Sequence, residues 1–97
     1  MTYEFFKDNY DINDMEIKRI EIKDNKLYLS LSMNVYLDLI ANGYRPSMDF
    51  NQEKTFVFFV DYNDYIFPLD SKILFKNDSI LIGNRELRIT LSTVDII

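Results

Sequence analysis

The acidic run Asp8-Asn9-Tyr10-Asp11-Ile12-Asn13-Asp14-Met15-Glu16 groups carboxylates of the kind that a hard cation such as calcium takes as ligands. A helix–loop–helix calcium loop needs oxygen donors at positions 1, 3 and 5, Gly at 6 and Glu at 12. Counted from Asp11, these positions hold Asp11, Asn13, Met15, Glu16 and Ile22, so the pattern fails at the last three. Two readings are left: a loose surface calcium site, or a solvated turn entering the first strand. A second carboxylate pair lies in Asp61-Tyr62-Asn63-Asp64-Tyr65, between two apolar segments. Paired carboxylates share acid and base work in glycosidases. No positioning motif accompanies this pair and the chain is short for a sugar cleft, so a hairpin turn with an exposed Tyr is the plainer reading.

The chain contains no Cys and no His. Disulfides, zinc–thiolate centres and thiol nucleophiles are excluded. An imidazole base, an imidazole ligand and a neutral-pH switch are excluded as well, and with them the Ser-His-Asp and Cys-His mechanisms. The expectation is a protein that is not an enzyme and needs no cofactor.

What remains is recognition. Seven Tyr are interleaved with acids, and Tyr is favoured at interfaces because its large ring loses little entropy on ordering. Tyr3, Tyr10, Tyr62 and Tyr65 are candidates, against the alternative that each packs over the rim of a small core. With their neighbouring carboxylates, the expected partner-binding residues are Tyr10, Asp11, Asp14, Asp61, Tyr62, Asp64 and Tyr65. Residues 1–24 hold seven acids against four bases, residues 49–64 four against one, and residues 71–97 three against four. If the first two regions meet in space they form one acidic face, suited to a basic protein partner. The net charge of −5 disfavours nucleic acid, whose dense negative charge calls for a basic surface, and it disfavours anionic membranes too.

The elements that must carry these residues are mostly strands. The chain has 97 residues, 47% of them apolar and 15% aromatic, which suits one domain with its own core. Residues 3–11 are aromatic and charged; a short helix or an edge strand is open to them, and a loop or a single helical turn is the plainer reading. In residues 15–22, Met15 and Ile17 share one phase and Ile20 and Ile22 the other; a bulge after Ile17 restores a single apolar face, and the β-branched residues favour this over a helix, the competing reading from the three-residue step between Ile17 and Ile20. Lys23-Asp24-Asn25-Lys26 is a turn, and Leu27, Leu29, Leu31 and Met33 then alternate strictly with polar residues. The two segments predict an antiparallel hairpin. Residues 35–41 read as a two-turn helix between Asn34 and Gly43 or as an irregular strand, followed by a loop at residues 44–49 around Pro46. Residues 54–60 are apolar on both faces, as in a strand buried on both sides. Tyr65-Ile66-Phe67 is a short strand stopped by Pro68. A last hairpin joins Ile80-Leu81-Ile82 to Leu87, Ile89 and Leu91 through Gly83-Asn84. The predicted fold is a single mostly-β domain: an antiparallel β-sandwich or curved meander of six or seven strands with at most one short helix.

No apolar run approaches the ~20 residues that span a bilayer, and the first residues lack the basic start and apolar stretch of a signal peptide. The absence of Cys fits the reducing cytosol, so a cytoplasmic protein is expected. The abundance of Asn, Lys, Ile, Tyr, Asp and Phe suggests an AT-rich bacterial or phage genome. The stretch Ile12-Asn13-Asp14-Met15-Glu16-Ile17-Lys18-Arg19-Ile20-Glu21-Ile22, followed by Leu27, Leu29 and Leu31, resembles the opening hairpin of the immunity-protein-50 family. Asn13-Asp14 stands where those sequences often carry His-Asp. The resemblance covers about 25 residues and implies an intracellular β-rich protein that neutralises a bacterial toxin without catalysis. The functional expectation is an inhibitor of a protein partner, in toxin immunity or as a phage-encoded anti-defence factor. The alternatives are a homo-oligomeric structural protein with residues 54–60 at a subunit seam, and a small-molecule or calcium-binding module.

Overall fold

The computed structural model describes residues 1–34 and 51–97; the helix-or-strand segment at 35–41 and the loop at 44–49 lie outside the described residues. Among the described residues, seven strands form one curled antiparallel sheet. They are β1 (Glu16–Lys23), β2 (Lys26–Asn34), β3 (Asn51–Asp61), β4 (Tyr65–Ile66), β5 (Ile73–Phe75), β6 (Ser79–Ile82) and β7 (Arg85–Ile96). Their order across the sheet is β4-β1-β2-β3-β7-β6-β5. The curved meander is therefore the arrangement adopted.

Each predicted hairpin has a local cause. β1 and β2 are joined by Asp24 and Asn25, with φ of 53° and 60°. Two successive left-handed residues make the hairpin turn whose twist matches that of the strands, and Asp and Asn tolerate it. The register of β1 against β2 shifts between Ile17 and Arg19. This is the expected bulge, and it turns Ile20 and Ile22 inward beside Leu27, Leu29 and Leu31, all of them buried. Gly83, at φ 61°, opens the β6–β7 turn in the left-handed region, where a residue without Cβ is unstrained.

β7 is the strand that joins the two halves of the sheet. Its first residues pair with β6, Arg85 to Ile82 through Arg88 to Ser79. Its later residues pair with β3, where Val94 lies opposite Phe58 and Ile96 opposite Phe56. Two register shifts separate the halves, and bulges of this kind sharpen a strand's bend and twist. The curl creates a concave face, and β3 runs through its centre with Phe56, Val57, Phe58 and Val60 buried within the chain. Burial within the chain thus accounts for Phe56, Val57, Phe58 and Val60, the apolar heart of residues 54–60.

Residues 3–11 adopt the short helix among the readings open to them, rather than the loop or single turn. Tyr3–Asn9 is an α-helix of seven residues, α1, with the Thr2 hydroxyl accepting from the Phe5 N–H at its start. Tyr3, Phe6 and Tyr10 follow the i, i+3, i+7 spacing of one helical face, and that face fills the concavity. The Phe6 ring lies 4.9 Å from Phe56, 5.0 Å from Phe58 and 5.2 Å from Phe75. Docking against the sheet supplies the stability that a helix this short lacks on its own.

Tyr3 is buried rather than available to a partner. Its hydroxyl lies 2.5 Å from the Lys76 carbonyl oxygen and 2.9 Å from that of Ser79, and it pins the β5–β6 turn. Burial, with the Asp78 carboxylate nearby, pushes the phenol up from 10.0 to about 12. In the unfolded chain Tyr3 ionises near 10, while the folded chain holds the proton. Its contribution is therefore complete below pH 10 and is lost as pH rises through about 12. Tyr3→Phe is expected to lower stability at neutral pH by about 1–2 kcal/mol, because the one hydroxyl proton shared between the Lys76 and Ser79 carbonyls is lost. It is also expected to flatten the decline of melting temperature across this alkaline window. Parallel melting curves for the two proteins at high pH would refute the assignment.

Candidate functional site

Three turns meet at one end of the sheet: Asp24-Asn25, the segment Asp61–Tyr65, and Gly83-Asn84 leading into Arg85. β3 must end at Asp61 because Asn63 and Asp64 favour a turn over a ladder, and the turn is then tied to its neighbours. The Asn25 amide donates to the Tyr62 carbonyl at 3.0 Å. The Asp24 N–H donates to Asp64 Oδ1, also at 3.0 Å. These bonds fix the height and direction of both tyrosines.

Arg85 joins the tyrosines. Its Nη1 donates to the Tyr62 hydroxyl at 2.5 Å, and its guanidinium carbon sits 4.3 Å from the centroid of the Tyr65 ring. A cation over a ring face is attracted by the ring's quadrupole, and Arg is the cation most often found there. The bond to the Tyr62 hydroxyl holds the Arg85 pKa above its ordinary value, and the Tyr65 hydroxyl adds to this. Behind Tyr65, the Phe67 ring at 4.7 Å anchors the cluster to the core. Arg85 carried no local signal in the sequence, since it lies 20 and 23 residues from the tyrosines it organises.

Of the expected partner-binding residues, the structure brings together Asp61, Tyr62, Asp64 and Tyr65. It places Tyr10, Asp11 and Asp14 elsewhere. Tyr10 stacks on Phe6 at 4.9 Å and meets Phe56 at 5.3 Å, at the rim of the core. Asp11 caps the 3-10 turn Ile12–Asp14, where its Oδ1 accepts from the Asn13 N–H at 3.0 Å, and Asp14 is the last residue of that turn. Phe56 and Asp61 are five residues apart along β3, about 17 Å at about 3.3 Å per residue. Tyr10 and the Asp61–Tyr65 turn therefore belong to different parts of the molecule.

The turn end is also of mixed sign. Asp24, Asp61 and Asp64 share it with Lys23, Lys26 and Arg85, all exposed. Among the described residues none of these six takes part in an ion pair. No three of His, Cys, Asp and Glu among the described residues gather as a metal site. The arrangement presents two aromatic rings and a guanidinium on tied turns, with carboxylates at their rim. It can bind by shape, stacking and paired charges.

Comparison of the chain with protein-family models, with curated proteins and with solved structures finds no match. Among the described residues no helix is long and apolar enough to cross a membrane.

Proposed function

We propose that this chain is a non-catalytic interaction protein that binds and inhibits a protein partner through the Tyr62–Tyr65–Arg85 cluster. The observation that carries the proposal is that cluster itself. Tyr and Arg dominate the binding energy of interfaces, and here both rings and the guanidinium are held in place before a partner arrives. Ordering them at the interface then costs little further entropy. The net charge of −5 favours encounter with a basic partner, because overall charge governs steering and on-rate. Asp61 and Asp64 supply the local acceptors. The resemblance of residues 12–31 to the immunity-protein-50 family adds a toxin, or a host defence protein targeted by a phage, as the class of target. A cytoplasmic location is part of this reading.

The test uses the full chain as immobilised bait in native lysate at physiological salt. The unaltered chain and Asp95→Asn, a change on an exposed part of β7, are expected to retain one stoichiometric partner. Tyr65→Ala and Arg85→Ala are each expected to weaken its retention at least about tenfold, the scale of a hot-spot residue. Both residues are exposed, so their melting temperatures are expected to stay close to that of the unaltered chain. Recovery of no partner, or equal retention by all four baits, would remove the proposal.

A further inference from the structure

Among the described residues the sheet does not close on itself. β4 pairs with only Glu21 and Ile22 of β1, the Phe67 N–H reaches the Ile20 carbonyl at 2.9 Å, and the chain then crosses to the opposite edge. There the Gly83 N–H bonds the Lys72 carbonyl at 2.8 Å, and the Lys76 N–H bonds the Ser79 carbonyl at 2.8 Å. Leu74 lies opposite Leu81 between these two bonded positions. Bonded and non-bonded pairs alternate in an antiparallel ladder. The amides and carbonyls of Ile73 and Phe75 therefore point away from β6, and among the described residues they meet no strand.

Beside this edge lies an open cleft of about 700 Å³ whose lining includes Ile12, Met15, Ile17, Leu69 and Ile73, with Asp70 and Lys72 at its polar part. Leu69 and Leu74 are 53% and 56% exposed, an unusual outlay of apolar surface beside free backbone. Lys72 and Lys76, both exposed, bracket the edge. Lys76 reaches Glu86 at 3.4 Å, and Lys72 is in no ion pair among the described residues.

We propose that the free edge of β5 captures an extended segment of a partner protein, added as an antiparallel strand, with an acidic residue at each end of an apolar-x-apolar core. The pattern follows from the register. Residues opposite Ile73 and Phe75 share their inward face, which borders the cleft at Ile73, while residues opposite Lys72 and Lys76 sit across from ammonium groups. The same lysines argue against a second copy of this chain. Self-pairing centred on Leu74 sets Lys72 against Lys76 twice, and like charges directly opposite are destabilising. Main-chain bonds supply affinity in such strand addition, and the alternate side chains supply specificity. The surface is distinct from the Tyr62–Tyr65–Arg85 cluster, so either can fail without the other.

The experiment titrates the isotope-labelled full chain with a capped peptide, Thr-Glu-Val-Thr-Val-Glu-Thr, and with its counterpart carrying Lys in place of both Glu. The Glu peptide is expected to shift the amide resonances of Ile73 and Phe75, and the Lys peptide to bind about tenfold more weakly. In the double variant Lys72→Glu, Lys76→Glu the preference is expected to invert. Three results would each overturn the proposal: no shift at Ile73 and Phe75 at millimolar Glu peptide, equal affinity for both peptides, or shifts at these amides that follow protein concentration alone.

Discussion

Phe6→Ala is expected to remove about 3–5 kcal/mol of folding stability, the range for truncating a buried aromatic ring. Phe6 is fully buried and touches four other rings, Tyr10, Phe56, Phe58 and Phe75. Its loss leaves a cavity on the concave face that the curl of the sheet cannot collapse to fill, and it forfeits edge-to-face pairs worth about 0.5–1.5 kcal/mol each beyond their area. Total stability for such domains is about 5–15 kcal/mol, so the variant is expected to be partly unfolded at moderate temperature. Phe5, one residue earlier on α1, is 51% exposed, and Phe5→Ala is expected to stay within about 0.5 kcal/mol. Urea unfolding of both variants gives the comparison. Equal midpoints would mean that α1 does not plug the sheet.

The second large effect concerns register in β1. Deleting Lys18 is expected to be tolerated, with a loss below about 1 kcal/mol, because it removes the extra residue of the bulge. Ile17, Ile20 and Ile22 then alternate on one face without it. Deleting Glu21 is expected to cost at least about 2 kcal/mol. It forces Ile20 to the outside and Arg19 towards the core, and exposing one Ile alone costs about 1.5–3 kcal/mol. Thermal melting of the two deletions tests this. A Lys18 deletion as damaging as the Glu21 deletion would show that the bulge is required for the curl rather than only for phase.

That pair of deletions rests on a feature legible before any coordinates. The switch of phase between Ile17 and Ile20 announced the bulge, and it lies where the register shifts. Alternating Leu and the Asp24-Asn25 turn announced the first hairpin, and Gly83-Asn84 the last. These signals were clear because strand pairing through two-residue turns is a local matter. α1 was harder to read. Its two turns hold no long apolar repeat, and its one local mark is the Tyr3, Phe6, Tyr10 spacing after the N-cap Thr2. The place of β7 between β3 and β6 carried no signal at all, since long-range pairing is decided by packing. The candidate site divided in the same way. Asp61, Tyr62, Asp64 and Tyr65 lie on one turn and were found together. Arg85 could be added only once folding brought a distant turn beside them, and Tyr10 and Asp11 turned out to be engaged in packing and capping.

The position of β7 also sets the order in which a ribosome can finish this molecule. β3 emerges with its aromatic side chains and one edge ready, yet the strand that covers that edge follows about 35 residues later. At about 5–20 residues per second the wait is about 2–7 s. During that interval the nascent chain offers an open, Phe-rich margin to any neighbour on the same message. Yield of soluble product should therefore respond to translation speed between residues 61 and 96 more than to speed anywhere upstream.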